Sequence, residues 1–221
     1  ADVMELDLKM TKDSVLVLSH DRDVLRCTNF KKVFRDQPDK SPLVSDLTYA
    51  EIQMLSLNRA HNVTIDTVKM PTLEQALRCC KDRICVNVDQ GYEYYDQVLE
   101  ISERLGVTDQ ILIKGKKAID VVAAHEARYE HNMMYMPIVD IQKPKGKALF
   151  DSYIDRGVVP LAYEVCWQSN DDGLFDEVCR TILDQGSKIW VNTIWASLCG
   201  GEGNDDDAAY IADDPAQVYD Q

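Results

Sequence analysis

The stretch ICVNVDQGYEYYDQVLEISERLGVTDQILIKG, residues 84–115, contains a strand, a helix and a second strand. ICVNVD (84–89) is a short apolar run of the kind that forms a buried strand, and YYDQVLEISERL (94–105) has the spacing of an amphipathic helix. Gly106 stands where a left-handed residue commonly ends a helix, and ILIKG (111–115) is the next strand. This alternation is typical of a parallel sheet with helical crossovers.

The same alternation continues to residue 195, and the strands are apolar on both faces, as parallel strands covered by helices are. Polar side chains near the C-terminal ends of many strands favour a β/α barrel, and no glycine-rich phosphate loop supports an open nucleotide-binding sheet. The later strands are predicted at 133–141, 158–167 and 188–195, and a helix is predicted before each of them, at 118–130, 148–156 and 174–185. The polar strand-end residues are Asp7, Asp89, Lys114, Asp140, Glu164 and Asn192.

Before residue 84 the pattern is different. Capping boxes at 48–51 and 72–75 predict that helices begin there, and the segment from about 27 to 46 reads as a long loop. In the polar tail, the Asp-Pro pair before residues 216–221 predicts the start of a further helix.

The chain has a net charge of -14, which argues against a nucleic-acid partner and suits a cation site. Its 221 residues fit one domain over 1–221, and no apolar run is long enough to predict a transmembrane helix. Seven cysteines without C-x-x-C spacing favour reduced thiols over a disulfide framework or a zinc site. Reduced thiols suggest the cytoplasm, whereas a signal before Ala1 would place the protein in the periplasm or outside the cell.

The chain opens with VMELDLKMTKDSVLVLSHD, residues 3–21, which reads as a β-hairpin. Glu5 and Asp7 point to the same face of the first strand because side chains alternate. A hairpin loop with an even number of residues would place His20 opposite Glu5 or Asp7, depending on the register. A three-residue loop would break this arrangement.

Two carboxylates on one strand face repel each other unless a cation joins them, and hard divalent cations prefer such oxygen ligands. Asp89 could supply a third carboxylate, and a histidine beside a metal-bound phosphate is placed for proton transfer. The alternative is that Glu5 and Asp7 form an exposed edge with Lys9, and that His20 begins a loop.

The stretch MELDLKMTKDSVLVLSHDRDVLRCTN resembles the E-L-D, T-K-D-G, H-D and R-T-T-N series of the glycerophosphodiester phosphodiesterase family. MPTLEQAL is similar to the family's I-P-T-L-E-E segment, VNVDQG stands where the family has an I-E-I-K strand, and WVNT resembles its W-T-V-N strand. The resemblance preserves the order of these motifs from residue 3 to about 195.

The resemblance implies a (β/α)8 TIM barrel that hydrolyses small glycerophosphodiesters to an alcohol and glycerol 3-phosphate with Mg or Ca. It implies Glu5, Asp7 and Asp89 as metal ligands and His20 as general acid/base. Gly91 falls where the family has a lysine, so Lys114 is a candidate for neutralising the phosphate. Trp190 is a candidate for the wall of the glycerol pocket, with a core position as the alternative.

The family's H-R-G strand, its P-E-N-T motif and its closing T-D-R-P strand are absent from the sequence, which shows six barrel strands. His61, His125 and His131 lie on a loop or helix, remote from the strand ends, and are expected to be solvent-exposed. An arc of six strands would expose two parallel edges, so we expect a barrel truncated at both ends. Two alternatives follow: a catalytically inactive barrel that binds a phosphodiester or sugar phosphate, and a related phospholipase-like hydrolase.

Overall fold

In the computed structural model, which describes residues 2–57, 68–89, 91–169 and 173–192, strands and helices alternate as the sequence predicts. The chain divides into two compact units, Ala1–Ile113 and Lys114–Gln221. The helix predicted at 216–221 lies outside the described residues. No helix in the described ranges is both long and apolar enough to cross a membrane.

The first unit is built on a sheet with the strand order β2-β1-β3-β4. The first two strands form an antiparallel hairpin, and the other two neighbouring pairs are parallel. Its elements are β1 (Val3–Met10), β2 (Leu16–Leu18), α1 (Phe30–Val33), α2 (Tyr49–Met54), α3 (Leu73–Cys80), β3 (Cys85–Asp89), α4 (Tyr95–Leu105) and β4 (Ile111–Gly115), of which the last two residues of β4 belong to the second unit.

The predicted helix ends of this unit are confirmed. The side chains of Thr48 and Thr72 each accept a hydrogen bond from the backbone N–H three residues on. The side chains of Glu51 and Gln75 accept in turn from the backbone N–H of Thr48 and of Thr72. These reciprocal bonds satisfy N–H groups that a helix start leaves without a partner. Gly106 ends α4 with a φ of 65°, a conformation that glycine adopts without a steric cost.

The segment between the hairpin and α3 has a hydrophobic cluster of its own. It contains the single-turn helix α1, which the sequence pattern assigned to a loop because four residues are too few to show a helical period. The cluster packs against Val17 of β2, and so fixes the hairpin from one side. Its buried members are Val17, Val24, Phe30, Phe34, Val44, Leu47, Ile52, Leu55 and Met70.

The second unit contains a parallel sheet with the strand order β5-β6-β7. The helix α6 begins four residues before the predicted start, because Pro144 suits the first turn of a helix although its neighbours are polar. The elements of this unit are α5 (Ile119–Glu126), β5 (Met134–Asp140), α6 (Pro144–Arg156), β6 (Ala162–Cys166), α7 (Leu174–Asp184) and β7 (Lys188–Val191).

The strand β6 is shorter than the predicted 158–167. Val158, Val159 and Leu161 are 39%, 48% and 49% exposed and lie in the connection before the strand. Pro160 has no N–H to donate to a strand neighbour, which explains why an apolar run that reads as strand does not pair here.

Candidate active site

The hairpin loop has three residues, which is the alternative that breaks the pairing of His20 with a carboxylate. The N–H of Thr11 donates to the carbonyl of Val15 at 2.9 Å, and Ser14 takes a positive φ of 64°. A turn followed by one left-handed residue is the usual form of a three-residue hairpin loop. As a result, Asp7 pairs with Ser19, whose N–H donates to the Asp7 carbonyl at 3.1 Å, and His20 is not the residue opposite either carboxylate.

His20 follows the end of β2, with its side chain 62% exposed. Its Nδ1 lies 2.8 Å from Oδ1 of Asp21. Arg26 donates to both oxygens of Asp21, from Nε at 2.6 Å and from a terminal nitrogen at 2.9 Å. These bonds hold the pKa of Asp21 well below its ordinary value, first through Arg26 and then through His20. A carboxylate at Nδ1 favours the imidazole tautomer with its proton there, which leaves Nε2 for proton exchange.

The carboxylates of β1 and β3 are aligned by the parallel register. Asp7 pairs with Asp89 and Glu5 pairs with Asn87, so all four side chains lie on one face of the two strands. Neighbouring strands are about 4.8 Å apart, which brings the paired side chains close together. We call Glu5, Asp7 and Asp89 the carboxylate cluster.

The environment of Asp7 shows the repulsion within this cluster. Burial is the main reason why the pKa of the Asp7 carboxyl lies above its ordinary value, and the negative charges of Asp89 and Glu5 raise it further. The charges of His20 and Lys9 act in the opposite direction. The charge of His20 therefore acts on Asp7, although His20 follows β2 and is not the strand partner of either carboxylate.

Asn87 is a residue of this site that the sequence reasoning did not single out. It is fully buried, and its Nδ2 donates to Oε2 of Glu5 at 2.8 Å. Its Oδ1 is buried and has no hydrogen-bond partner in the described part of the chain. The available signal was the alternation in VNVD, which places Asn87 on the same face as Asp89.

The donor chemistry of the cluster fits a hard divalent cation. Three carboxylates offer oxygens of the kind that such a cation prefers, and positive charge would relieve the mutual repulsion at Asp7. Among the described residues, no group of three or more His, Cys, Asp or Glu side chains is placed to hold a metal ion. The roles of Glu5, Asp7, Asp89 and His20 stay predictions.

In the second unit, Lys114 is 1% exposed and its Nζ donates to Oε2 of Glu164 at 2.6 Å. The same nitrogen lies 5.9 Å from the centre of the Trp190 ring, and Trp190 is half-buried. In the register of β6 and β7, Glu164 pairs with Trp190, which brings the three side chains together. A phosphate that reached Lys114 would compete with Glu164 for its charge.

Gly91 has no room for a longer side chain. A Cβ at this buried position would lie 2.6 Å from Cγ1 of Val88, closer than such atoms approach.

The other three histidines are not among the described residues of this site. His131 is exposed, His125 lies on α5 against the ring of Tyr129, and His61 is outside the described residues.

Two family models match the sequence. The model of the glycerophosphoryl diester phosphodiesterase family matches residues 1–148, and a family described as a domain of unknown function matches residues 135–221. A glycerophosphodiester phosphodiesterase of Bacillus altitudinis is 28% identical over 121 residues, which cover 51% of this chain and 45% of that protein. The chain therefore spans about half the length of the curated relatives that it matches.

Two solved structures show the same fold. A glycerophosphoryl diester phosphodiesterase from Parabacteroides distasonis aligns with a TM-score of 0.65 at 21% identity, over 85% of this chain and 59% of that chain. A glycerophosphodiester phosphodiesterase from Thermotoga maritima aligns with a TM-score of 0.55 at 21% identity, over 85% of this chain and 72% of that chain. The predicted α/β fold of the (β/α)8 phosphodiesterase type is confirmed. Because its family model matches more than half of the sequence, the chain belongs to the glycerophosphoryl diester phosphodiesterase family.

Proposed function

We propose that the full-length protein hydrolyses small glycerophosphodiesters to an alcohol and glycerol 3-phosphate. The observation that carries the proposal is the parallel register that pairs Asp7 with Asp89 and places Glu5 on the same strand face. Family membership supports the reaction class, a phosphoric diester hydrolase.

The carboxylate cluster would hold a divalent cation, Mg or Ca, by its carboxylate oxygens. When bound, such a cation would act as a Lewis acid that polarises a phosphoryl oxygen of the substrate. The pKa of Asp7 is raised by burial first and then by the negative charges of Asp89 and Glu5, and a bound cation would offset that repulsion.

His20 would transfer the proton. Asp21 occupies Nδ1 of its imidazole, so the proton is exchanged at Nε2, either with the attacking hydroxyl or with the leaving alcohol oxygen. Arg26 holds Asp21 by two bonds and so limits rotation of the pair. The exposure of the His20 side chain leaves it accessible to a substrate from solvent.

Lys114 and Trp190 are proposed as substrate-binding residues in the second unit. Lys114 carries the positive charge that a phosphate requires, and Trp190 offers an apolar ring for the glycerol carbons. Because Glu164 already pairs with Lys114, the phosphate would have to share that charge.

The test is glycerol 3-phosphate release from glycerophosphocholine by the full-length protein, with Mg²⁺ or Ca²⁺ and after chelation. We expect release that depends on the cation, and a loss of at least about 100-fold in Glu5→Gln, because even residues that only support metal ligands contribute 10- to 100-fold. Glu100→Gln, which removes an exposed carboxylate of α4, is the matched control and should keep wild-type activity.

Equal activity in Glu5→Gln and wild type would contradict the proposal. A wild-type protein that binds glycerophosphocholine without releasing glycerol 3-phosphate would identify the inactive binding barrel instead. Cleavage of lysolipids in preference to glycerophosphocholine would identify the phospholipase-like enzyme.

A further inference from the structure

Asn87 stands in the centre of β3 between two buried valines, Val86 and Val88. It is fully buried, as its neighbours are, yet it carries a carboxamide. One end of that carboxamide is engaged, because Nδ2 donates to Oε2 of Glu5 at 2.8 Å. The other end, Oδ1, has no hydrogen-bond partner among the described residues.

This arrangement does not favour folding. A buried acceptor without a partner costs about 1–3 kcal/mol, whereas an apolar side chain of similar size would remove that cost. A strand buried on both faces is normally apolar throughout, as the flanking valines are. The free energy of folding therefore gives no reason for an amide at this position.

The contact with Glu5 gives a functional reason for an amide at position 87. Glu5 is the exposed member of the carboxylate cluster and has a long side chain with several rotamers. A hydrogen bond from a buried strand residue limits the rotamers of that carboxylate on the face that it shares with Asp7 and Asp89. The donor is neutral, so it orders Glu5 without neutralising the charge that a cation needs.

We propose that Asn87 is a positioning residue of the cation site, which orders the Glu5 carboxylate before a cation binds. The inference rests on the proposed function, since it requires that the carboxylate cluster binds a divalent cation. It adds to the three carboxylates an uncharged residue that sets the affinity of the site by acting through Glu5.

The test measures Ca²⁺ and Mg²⁺ binding to the full-length protein by calorimetry, and the free energy of unfolding in chelator. Asn87→Leu should raise the Kd for the cation by about 10- to 100-fold, the range for residues that orient metal ligands. Its free energy of unfolding without cation should stay the same or rise. Asn87→Val, which matches the flanking valines, is a second variant in case leucine does not fit.

A double-mutant cycle shows whether Asn87 acts through Glu5. In a Glu5→Gln background, Asn87→Leu should weaken cation binding little further, because the carboxylate that it orders is gone. Ser102→Ala removes a buried hydroxyl of α4 that donates to the Leu99 carbonyl, and is the control that should leave the Kd unchanged.

Three results would overturn the inference while the proposed function stands: a wild-type Kd in Asn87→Leu, a parallel loss of stability in chelator, or an effect that adds fully to that of Glu5→Gln. A wild-type protein that binds neither cation would overturn both the inference and the proposed cation site.

Discussion

The imidazole of His20 is oriented by a carboxylate that is itself fixed by a guanidinium. Asp21 binds Nδ1 of His20 at 2.8 Å, and Arg26 binds both oxygens of Asp21. Because the pKa of Asp21 is depressed, this carboxylate keeps its charge well below neutral pH. The orientation of His20 is therefore maintained across the range in which a histidine exchanges protons.

This geometry predicts graded losses of activity. His20→Asn should lower kcat by about 10²- to 10⁴-fold with little change in KM, because general acid/base catalysis contributes that much. Asp21→Asn should lower kcat less, since the imidazole stays but loses the acceptor that sets its tautomer. Steady-state kinetics of the full-length protein measure both, with His131→Asn, on an exposed histidine, as the control. Unchanged kcat in His20→Asn would exclude His20 as the proton-transfer group.

At single residues, alternation of side chains was enough to predict that Glu5 and Asp7 share a face, and their register with β3 agrees with a site that also contains Asp89. The partners of His20 could not be predicted, because side-chain contacts depend on the course of the loop after β2. Asn87 could be placed on the correct face, but its bond to Glu5 depends on a pairing between strands 82 residues apart.

Among the helices and strands, local signals predicted local features. Both capping boxes and the glycine that ends α4 are as the sequence indicates, because each depends on bonds within a few residues. The length of the hairpin loop could not be predicted, because it depends on the left-handed conformation of Ser14, which serine adopts only when the surrounding contacts require it. The Thr11 hydroxyl, which donates to Asp13 and accepts from Val15, provides such contacts.

The ion pair between β4 and β6 leads to a stability prediction. Lys114 and Glu164 are 1% and 6% exposed at their side chains, so removal of one partner leaves a buried charge. Lys114→Met should lower the free energy of unfolding by about 3–5 kcal/mol, and the further change Glu164→Leu should restore most of it. Urea unfolding of the full-length protein measures both, and Lys147→Met, which breaks an exposed pair with Asp151, should cost far less. A Lys114→Met variant as stable as wild type would contradict the conclusion that Lys114 and Glu164 form a buried ion pair.

For the molecule as a whole, the alternation of strands and helices was sufficient to predict the fold class, because that pattern admits few architectures. The prediction of a single domain over 1–221 stays a prediction. The family model ends at residue 148 and a second family model begins at residue 135, so the two matches overlap within β5 and α6.

The central claim is that Glu5 and Asp7 of β1 and Asp89 of β3 hold the cation for phosphodiester hydrolysis. The most direct measurement is the rate of glycerol 3-phosphate release as a function of Mg²⁺ and Ca²⁺ concentration for wild type, Asp89→Glu and Asp89→Asn in the full-length protein. We predict that Asp89→Asn needs at least about 10-fold more cation for half-maximal activity or loses activity, while Asp89→Glu keeps a cation-dependent rate. The same cation dependence in Asp89→Asn and wild type would contradict the claim.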